Sequence, residues 1–206
     1  MKRGRFISLE GGEGVGKSTQ LPALAAALRE RGREVVRTRE PGGSRGGEAI
    51  RELLLTGTDD RWSSRAEALL FAAARTDHVD RVIRPAVLAG RWVLSDRFID
   101  SSLAYQGVAA GLGIAAVRAI NAFGIGELFP DRTLVLLQPE GTERARARDE
   151  GASDRIGGRP ADYHRAVDRA FREIAAAEPE RVRLVDASGT PEQVTARLLV
   201  AIEDLL

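Results

Sequence analysis

The sequence contains no cysteine, and this absence excludes several kinds of site. Disulfide bonds, thiolate nucleophiles and cysteine-ligated zinc all require a residue type that the chain does not have. The sequence also has no run of about 18 apolar residues that could span a bilayer, and no apolar signal segment near its start. We therefore expect a protein without membrane segments that works in the cytoplasm.

An excess of charge of one sign is also lacking, because 31 basic and 30 acidic residues leave a formal net charge of +1. Such a balance gives no bulk attraction to nucleic acid or to an anionic membrane, and we expect neither as a partner. With 43% hydrophobic and 30% charged residues, the composition is that of an ordinary globular protein. The length of 206 residues predicts a single domain over residues 1–206.

Lysine is scarce as well, since Lys2 and Lys17 are the only lysines among the 31 basic residues. Lys17 lies in the segment Gly11–Ser18, which reads GGEGVGKS. This pattern is typical of a phosphate-binding loop, in which backbone N–H groups bind phosphates, the lysine reaches β/γ oxygens and the serine hydroxyl holds Mg²⁺. A short apolar run precedes the loop and leucines at helical spacing follow it, so strand, loop and helix occur in the order that the motif requires.

Apolar runs alternate with stretches of helical spacing along the chain, and this alternation predicts an α/β fold with a five-stranded parallel sheet flanked by helices. In such a sheet, ligands bind at the carboxyl ends of the strands. The prolines Pro22 and Pro85 lie inside predicted helices and are expected to kink them. The predicted strands are Arg5–Glu10, Glu34–Thr38, Arg91–Asp96, Arg132–Leu137 and Arg181–Asp186. The predicted helices are Lys17–Glu30, Glu48–Leu55, Ser63–Ala89, Ile114–Phe123, Glu140–Arg148, Ala161–Ala177 and Pro191–Leu205.

Polar residues at the ends of two predicted strands indicate the chemistry of this edge. Asp96 and Arg97 end the third strand, where the carboxylate can orient Mg²⁺ and the guanidinium can hold a phosphate bidentately. Arg39 ends the second strand in the same way and can bind a second anion. Phe71 and Arg75 are four residues apart on a helix and together can stack on a planar base and donate to it. The alternative is a core phenylalanine beside a solvated arginine.

A charged stretch after the fourth strand carries arginines in a regular pattern and then a glycine-rich segment. We expect it to form a short arginine-rich lid over about residues 144–160. Transfer between two phosphorylated substrates brings like charges together, at a cost of about 4 kcal/mol per pair at 4 Å in an effective dielectric of 20. Arginines of the lid are suited to offset this repulsion. The alternative is a solvated helix face. The arginines concerned are Arg144, Arg146 and Arg148.

These segments, in this order, resemble bacterial thymidylate kinases, a family of nucleoside monophosphate kinases. Besides the loop, the matching stretches are TREPGG at 38–43, FAAARTDH at 71–78, DRFIDSSLAYQG at 96–107, the arginine run through Ile156, and 185–188. The resemblance implies a three-layer P-loop kinase fold that transfers the γ-phosphoryl group of ATP to dTMP, with Mg²⁺, to give dTDP for dTTP synthesis. It also implies a homodimer.

The resemblance implies roles for individual residues. It assigns ATP to Gly11, Gly12, Glu13, Gly14, Val15, Gly16, Lys17, Ser18 and Thr19, and the metal ion to Ser18 and Asp96. It assigns dTMP to Glu13, Arg39, Phe71, Arg75, Arg97, Ser102, Tyr105 and Gln106, with Glu13 towards the 3′-hydroxyl and Tyr105 crowding the 2′ position. Since Gly12 to Val15 include no cation, catalytic arginines would come from the lid. The implied catalytic set is Lys17, Arg97, Arg144, Arg146 and Arg148.

Some features depart from this family or leave other functions open. Gln138 and Gly157-Gly158 stand where the family often has acidic residues. The acceptor that the residues select could be another nucleoside monophosphate, and the chain could instead be a P-loop ATPase switch or an inactive nucleotide-binding protein. A GTPase is excluded, because its Asn-Lys-x-Asp motif needs a lysine after Lys17. Phosphoryl transfer to a phosphate oxygen needs no general base, so we expect His78 and His164 to be structural.

Overall fold

A computed structural model describes residues 3–138 and 155–206. Within these ranges, five strands form one sheet in the order β2-β3-β1-β4-β5, with every neighbouring pair parallel. The predicted α/β architecture is confirmed, and every predicted strand boundary lies within one residue of the observed one. The strands are β1 Phe6–Glu10, β2 Val35–Arg39, β3 Trp92–Asp96, β4 Arg132–Leu137 and β5 Val182–Asp186.

The helices of the described ranges connect these strands, and the last helix follows β5. They are α1 Lys17–Glu30, α2 Arg45–Leu55, α3 Ser64–His78, α4 Arg84–Leu88, α5 Ile99–Ser102, α6 Ile114–Ile125, α7 Ala161–Ala177 and α8 Pro191–Val200. Short 3₁₀ segments cover Asp59–Arg61 and Glu203–Leu205. The predicted helix Glu140–Arg148 lies outside the described residues. No helix that the structure describes has the length and apolar character needed to cross a bilayer.

The continuous helix predicted over Ser63–Ala89 is wrong in its middle. A π-helical segment, Val79–Ile83, separates α3 from α4, and Pro85 lies in the first turn of α4. Proline has no N–H to donate to the carbonyl four residues back, so the regular α-helical pattern changes in the turn before it. Pro22 lies in the interior of α1, and α-helical structure continues after it to Glu30.

Helical structure also covers a stretch outside the predicted helices. The short helix α5 is followed directly by a π-helical segment, Leu103–Ala109. The serines Ser101 and Ser102 are weak helix formers, and they obscure the helical pattern in the sequence. Since this stretch follows the carboxyl end of β3, it brings a second group of polar side chains to the edge of the sheet where ligands bind in such folds.

Apolar side chains cover both faces of the sheet and make three layers. Leu24 of α1 and Leu198 of α8 belong to the buried cluster on one face. Val117 of α6 and Phe171 of α7 belong to the cluster on the other. Helices on both faces leave the strand ends as the accessible part of the sheet, and the candidate site lies there.

Candidate active site

The glycine-rich loop joins β1 to α1, which begins at Lys17. Gly16 directly precedes the helix with a φ of 97°, and Gly11 follows the strand with a φ of 132°. A Cβ atom on Gly11 would lie 2.4 Å from the carbonyl oxygen of Leu136 in the neighbouring strand. Both positions therefore need glycine, one for its backbone angle and the other also for space. The strand–loop–helix context that the motif requires is present.

Lys17 is buried beneath this loop. Its Nζ donates hydrogen bonds to the carbonyl oxygens of Gly11, at 3.1 Å, and Gly12, at 2.7 Å. Burial, together with the nearby charge of Arg97, lowers the pKa of the ammonium to about 8. The protein thus holds a poorly solvated cation at the loop, where an anionic phosphate would stabilise its charged form.

A cavity of about 270 Å³ lies beside the loop at the carboxyl edge of the sheet. Its walls bring together residues that the sequence assigns to the phosphate loop and residues that it assigns to the acceptor pocket. Three of the assigned residues, Gly11, Gly12 and Thr19, lie in the loop or helix α1 without lining the cavity. The assigned residues that line it are Glu13, Gly14, Val15, Gly16, Lys17, Ser18, Arg39, Phe71, Arg75, Asp96, Arg97, Ser102, Tyr105 and Gln106.

Asp96 and Ser18 provide the oxygen atoms that a divalent cation could use. Oδ1 of Asp96 is buried and has no hydrogen-bond partner among the described residues. No cluster of three acidic or histidine side chains that could hold a metal by itself occurs in residues 3–138 and 155–206. One carboxylate and one hydroxyl fit Mg²⁺, which keeps several waters and otherwise binds substrate phosphates. The residues present therefore fit the metal that the sequence predicts.

Arg97 has a strained backbone that directs its guanidinium towards the loop. Among the described residues it is the one non-glycine residue with positive φ, at 69°. Its Nη1 donates to the carbonyl of Gly11 and to Ser101 Oγ, each at 3.1 Å, and its Nη2 donates to the Glu13 carboxylate. The guanidinium also lies over the ring of Tyr105, 5.0 Å from its centre. Burial acts to raise the pKa of Glu13, but the charges of Arg97 and Lys17 hold it below its ordinary value.

Glu10, a residue outside the sequence assignments, shapes the turn that carries Arg97. Its carboxylate accepts hydrogen bonds from the Phe98 backbone N–H at 2.7 Å and from Ser101 Oγ at 2.5 Å. Burial, reinforced by the charge of Asp100, raises the pKa of Glu10 to about 8. The sequence contains one signal for this role: Glu10 is an acidic residue at the end of an apolar strand, directly before the glycine loop.

Arg75 is buried, so the interpretation of a solvated arginine is wrong for this residue. Its Nε donates to Glu40 Oε2 at 2.7 Å, its Nη1 to Asn121 Oδ1 at 2.7 Å and its Nη2 to the Phe98 carbonyl at 3.0 Å. A guanidinium has five N–H donors, so donors remain for a ligand in the cavity. Phe71 is half-buried against the core and also lines the cavity. The sequence signal for Asn121 is weak, since it is a lone amide on a helix that is otherwise apolar except for Arg118.

The acceptor-pocket residues differ in how they are held. Ser102, Tyr105 and Gln106 are buried, and Gln106 donates to the Glu67 carboxylate at 2.9 Å. Arg39 is exposed and pairs with both carboxylate oxygens of Glu48, at 2.9 and 3.0 Å. A phosphate that binds Arg39 must therefore compete with an exposed ion pair, which is a weak interaction.

The two histidines make contacts within the protein. His78 is fully buried between Thr38 Oγ1 and Glu40 Oε1, at 2.6 and 2.9 Å. His164 Nε2 lies 3.2 Å from the carbonyl oxygen of Gly157. Neither residue lines the cavity, as expected for structural side chains.

The predicted lid falls mostly on residues that the structure does not describe. Arg144, Arg146 and Arg148 all lie outside the described residues. The described end of the predicted lid packs against the site instead of lying in solvent. Ile156 is buried and lines the cavity, and Arg155 is buried beside it.

Comparison with known proteins points to one family. The family model described as thymidylate kinase matches residues 9–198. The thymidylate kinase of Rhizorhabdus wittichii is 60% identical over 205 residues, which cover 98% of this chain and 99% of that protein. That of Bradyrhizobium diazoefficiens is 46% identical over 207 residues, covering 99% and 91%. The crystal structure of thymidylate kinase from Ehrlichia chaffeensis matches with a TM-score of 0.79 and 29% identity, covering 99% of this chain and 100% of that chain.

Proposed function

This chain belongs to the thymidylate kinase family, enzymes that phosphorylate dTMP to dTDP with ATP, and we propose which of its residues carry out each part of that reaction. The loop Gly11–Thr19 binds the phosphates of ATP, and the cavity beside it binds dTMP. One observation carries this assignment: the loop and the residues assigned to the acceptor line the same cavity. The activity belongs to a single kinase domain over residues 1–206.

The reaction is direct transfer of the γ-phosphoryl group to a phosphate oxygen of dTMP. That oxygen is already an anion at neutral pH, so the enzyme needs alignment and charge stabilisation and no general base. Lys17 contacts the transferred group from the loop, and Arg97 and Arg39 hold the acceptor phosphate. Ser18 and Asp96 would hold a Mg²⁺ ion, which when bound would supply positive charge that neutralises the phosphates.

The base and sugar of dTMP are recognised by the remaining walls of the cavity. Phe71 stacks on the thymine ring, and the remaining donors of Arg75 bind a thymine carbonyl oxygen. Tyr105 and Ser102 face the sugar, where the tyrosine ring leaves no room for a 2′-hydroxyl. Glu13 binds on the 3′-hydroxyl side. Because Arg75 donates hydrogen bonds, the pocket favours a base that has a carbonyl oxygen at the position where cytosine has an amino group.

An assay with several acceptors tests this assignment. Wild-type enzyme with ATP and Mg²⁺ is expected to phosphorylate dTMP fastest and dUMP more slowly, and to leave AMP, GMP and CMP nearly unchanged. Release of ADP is measured for each acceptor, with and without EDTA. Equal rates for CMP, AMP or GMP would contradict the dTMP assignment, and full activity in EDTA would contradict the role of Mg²⁺.

We assign the remaining positive charge at the transferred group to Arg144, Arg146 and Arg148. The support is chemical, because the loop carries no cation between Gly12 and Val15 and the transition state needs more than Lys17. The kcat of an alanine variant of each arginine, assayed with dTMP, measures how much that arginine contributes to catalysis. If kcat stays unchanged in all three variants, the run is a solvated helix face.

The enzyme forms a homodimer through α2, α3 and α6, which pack side by side. This face exposes large apolar side chains, with Leu53 40%, Leu69 57% and Phe123 97% exposed. Exposed apolar residues on adjoining helices are typical of an interaction surface. Sedimentation velocity is expected to show a dimer, and F123E is expected to give a monomer of 22.2 kDa. V200E, on the opposite layer, is the control and should remain dimeric; a monomeric wild type would contradict the proposal.

The proposed location is the cytoplasm, where ATP is available. The chain has no cysteine and so needs no oxidising compartment for disulfide bonds. Cell fractionation with an antibody against the chain tests it.

A further inference from the structure

A buried carboxylate stands outside the cavity, next to the wall that is assigned to the acceptor base. Glu67 lies in the first turn of α3 and is 1% exposed. Its Oε1 accepts from Gln106 Nε2 at 2.9 Å, and its Oε2 accepts from Arg155 Nη2 at 2.5 Å and Arg159 Nη2 at 2.7 Å. Burying such a group costs free energy that well-packed apolar side chains would not. A buried carboxylate with three charged or polar partners is therefore better explained by a function than by stability alone.

Glu67 and its hydrogen-bond partners together belong to three separate parts of the chain, and each part lines the cavity. Helix α3 carries Phe71 and Arg75, four and eight residues after Glu67 and so on the same side of the helix. The π-helical segment Leu103–Ala109 carries Gln106. Arg155 precedes Ile156, whose side chain also lines the cavity. Glu67 is thus the point at which these three walls are joined, although it does not line the cavity itself.

A second set of contacts joins the π-helical segment Leu103–Ala109 to the start of α7. Tyr163 Oη donates to the backbone carbonyl of Tyr105 at 3.0 Å. The guanidinium of Arg159 lies over the ring of Tyr163, 4.6 Å from its centre. Arg159 therefore contacts Tyr163 at the start of α7 and the carboxylate of Glu67 at the same time. These two contacts restrict the position of the Arg159 side chain.

The carboxylate also determines how the amide of Gln106 is turned. A carboxylate oxygen only accepts hydrogen bonds, so Gln106 must direct its NH₂ group towards Glu67. The amide oxygen then points away from Glu67, and no donor among the described residues bonds to it. Since Gln106 lines the cavity, this oxygen is available to accept a hydrogen bond from a ligand. Thymine has an N–H between its two carbonyl groups, whereas cytosine has a bare ring nitrogen there.

We propose that Glu67 is a positioning residue for the acceptor base: it joins the three walls of the pocket and fixes Gln106 so that its amide oxygen faces an N–H of thymine. The inference rests on the proposed function, because it takes dTMP as the acceptor. It concerns binding of the acceptor alone. ATP binds at the loop, which Glu67 does not contact.

The test compares E67Q with a matched variant elsewhere. Asp131 is also a buried carboxylate that accepts from two arginines and one further N–H, those of Arg3, Arg5 and Phe6. It precedes β4, at the opposite edge of the sheet from the cavity. The variants E67Q and D131N therefore remove the same charge from carboxylates that each pair with two arginines, although the arginines beside Asp131 are more exposed. Only E67Q removes the charge beside the pocket.

We expect E67Q to raise the KM for dTMP about tenfold, as loss of a supporting contact does when it misplaces a binding group. We also expect its kcat/KM for dTMP relative to dCMP to fall, and its calorimetric Kd for ATP to stay within about twofold of wild type. D131N should keep the wild-type KM and the wild-type preference between acceptors. R159Q, which removes one donor and leaves the buried carboxylate paired with Arg155, should raise the KM for dTMP by a smaller factor. It decides the question if E67Q does not fold.

The outcomes separate this inference from the proposed function. If E67Q or, failing that, R159Q keeps the KM of D131N for dTMP, the inference is overturned. It is also overturned if affinities for ATP and dTMP fall by the same factor, because that result indicates a purely structural role. If wild-type enzyme does not phosphorylate dTMP at all, the proposed function itself fails.

Discussion

Replacing Lys17 by methionine is expected to lower kcat for dTMP phosphorylation by about 10²–10³-fold, the usual effect of removing one preorganised donor from a transition state. The ammonium lies beneath the glycine loop with its hydrogen bonds directed to the carbonyls of Gly11 and Gly12. In the proposed substrate complex, Lys17 is the cation of the loop that contacts the phosphates. Methionine has a similar length and no charge, so packing is retained while the charge is lost.

The same variant is expected to keep or increase the stability of the protein without ligands. Burial lowers the pKa of Lys17 to about 8, below the ordinary value of 10.5. The unfolded chain therefore binds more protons than the folded protein between these two pKa values, and stability rises with pH there. At and below neutral pH the charged lysine instead destabilises the fold, by an amount on the order of 3 kcal/mol. K17M removes this cost.

Urea denaturation of wild type and K17M at pH 8 and at pH 10 measures the effect. The free energy of unfolding of wild type should increase relative to that of K17M by about 2 kcal/mol between the two pH values. K17R serves as the control that keeps a charge, and its planar guanidinium should also give low kcat. A K17M variant with more than a tenth of the wild-type kcat would contradict the assigned role of Lys17.

The parts of the site that the sequence predicts well are those fixed by local chain geometry. The loop requires glycine at Gly11 and Gly16 for backbone reasons. Strand β3 ends at Asp96, directly before Arg97, because an apolar run stops there. The spacing of four residues is enough to place Phe71 and Arg75 together on one helix. In each case, the information lies within a few neighbouring residues.

The parts that the sequence does not predict depend on contacts between distant segments. Arg75 is held by Glu40 and Asn121, which are 35 and 46 residues away in the chain. Glu67 and Arg155 are separated by 88 residues. Periodicity places each of these residues on a helix or in a turn, but it carries no information on which distant side chain each one meets. Pairing a buried charge requires the tertiary fold.

Replacing Arg97 is expected to have the second large effect on activity. This residue has an assigned role in the site and also a strained backbone. A non-glycine residue with a φ near 69° pays about 1–2 kcal/mol relative to an ordinary backbone conformation. The fold accepts this cost because the turn directs the guanidinium between the loop and the acceptor pocket. The contribution of strain can therefore be separated from that of function by comparing a glycine with an alanine at this position.

We expect R97G and R97A each to lower kcat/KM for dTMP by at least about 100-fold, since both remove the guanidinium that we assign to the acceptor phosphate. The two variants lack the same hydrogen bonds to Gly11, Ser101 and Glu13, so their difference in stability reports the backbone alone. Relief of the positive-φ strain exceeds the extra entropy that glycine gains in the unfolded chain, about 0.4–1 kcal/mol. R97G should therefore unfold at a higher urea concentration than R97A, and its free energy of unfolding should be larger by about 0.5–1 kcal/mol. An R97A protein as stable as R97G would show that backbone strain in the turn does not exceed the entropy that glycine gains in the unfolded chain. Wild-type turnover in either variant would remove Arg97 from the phosphate site.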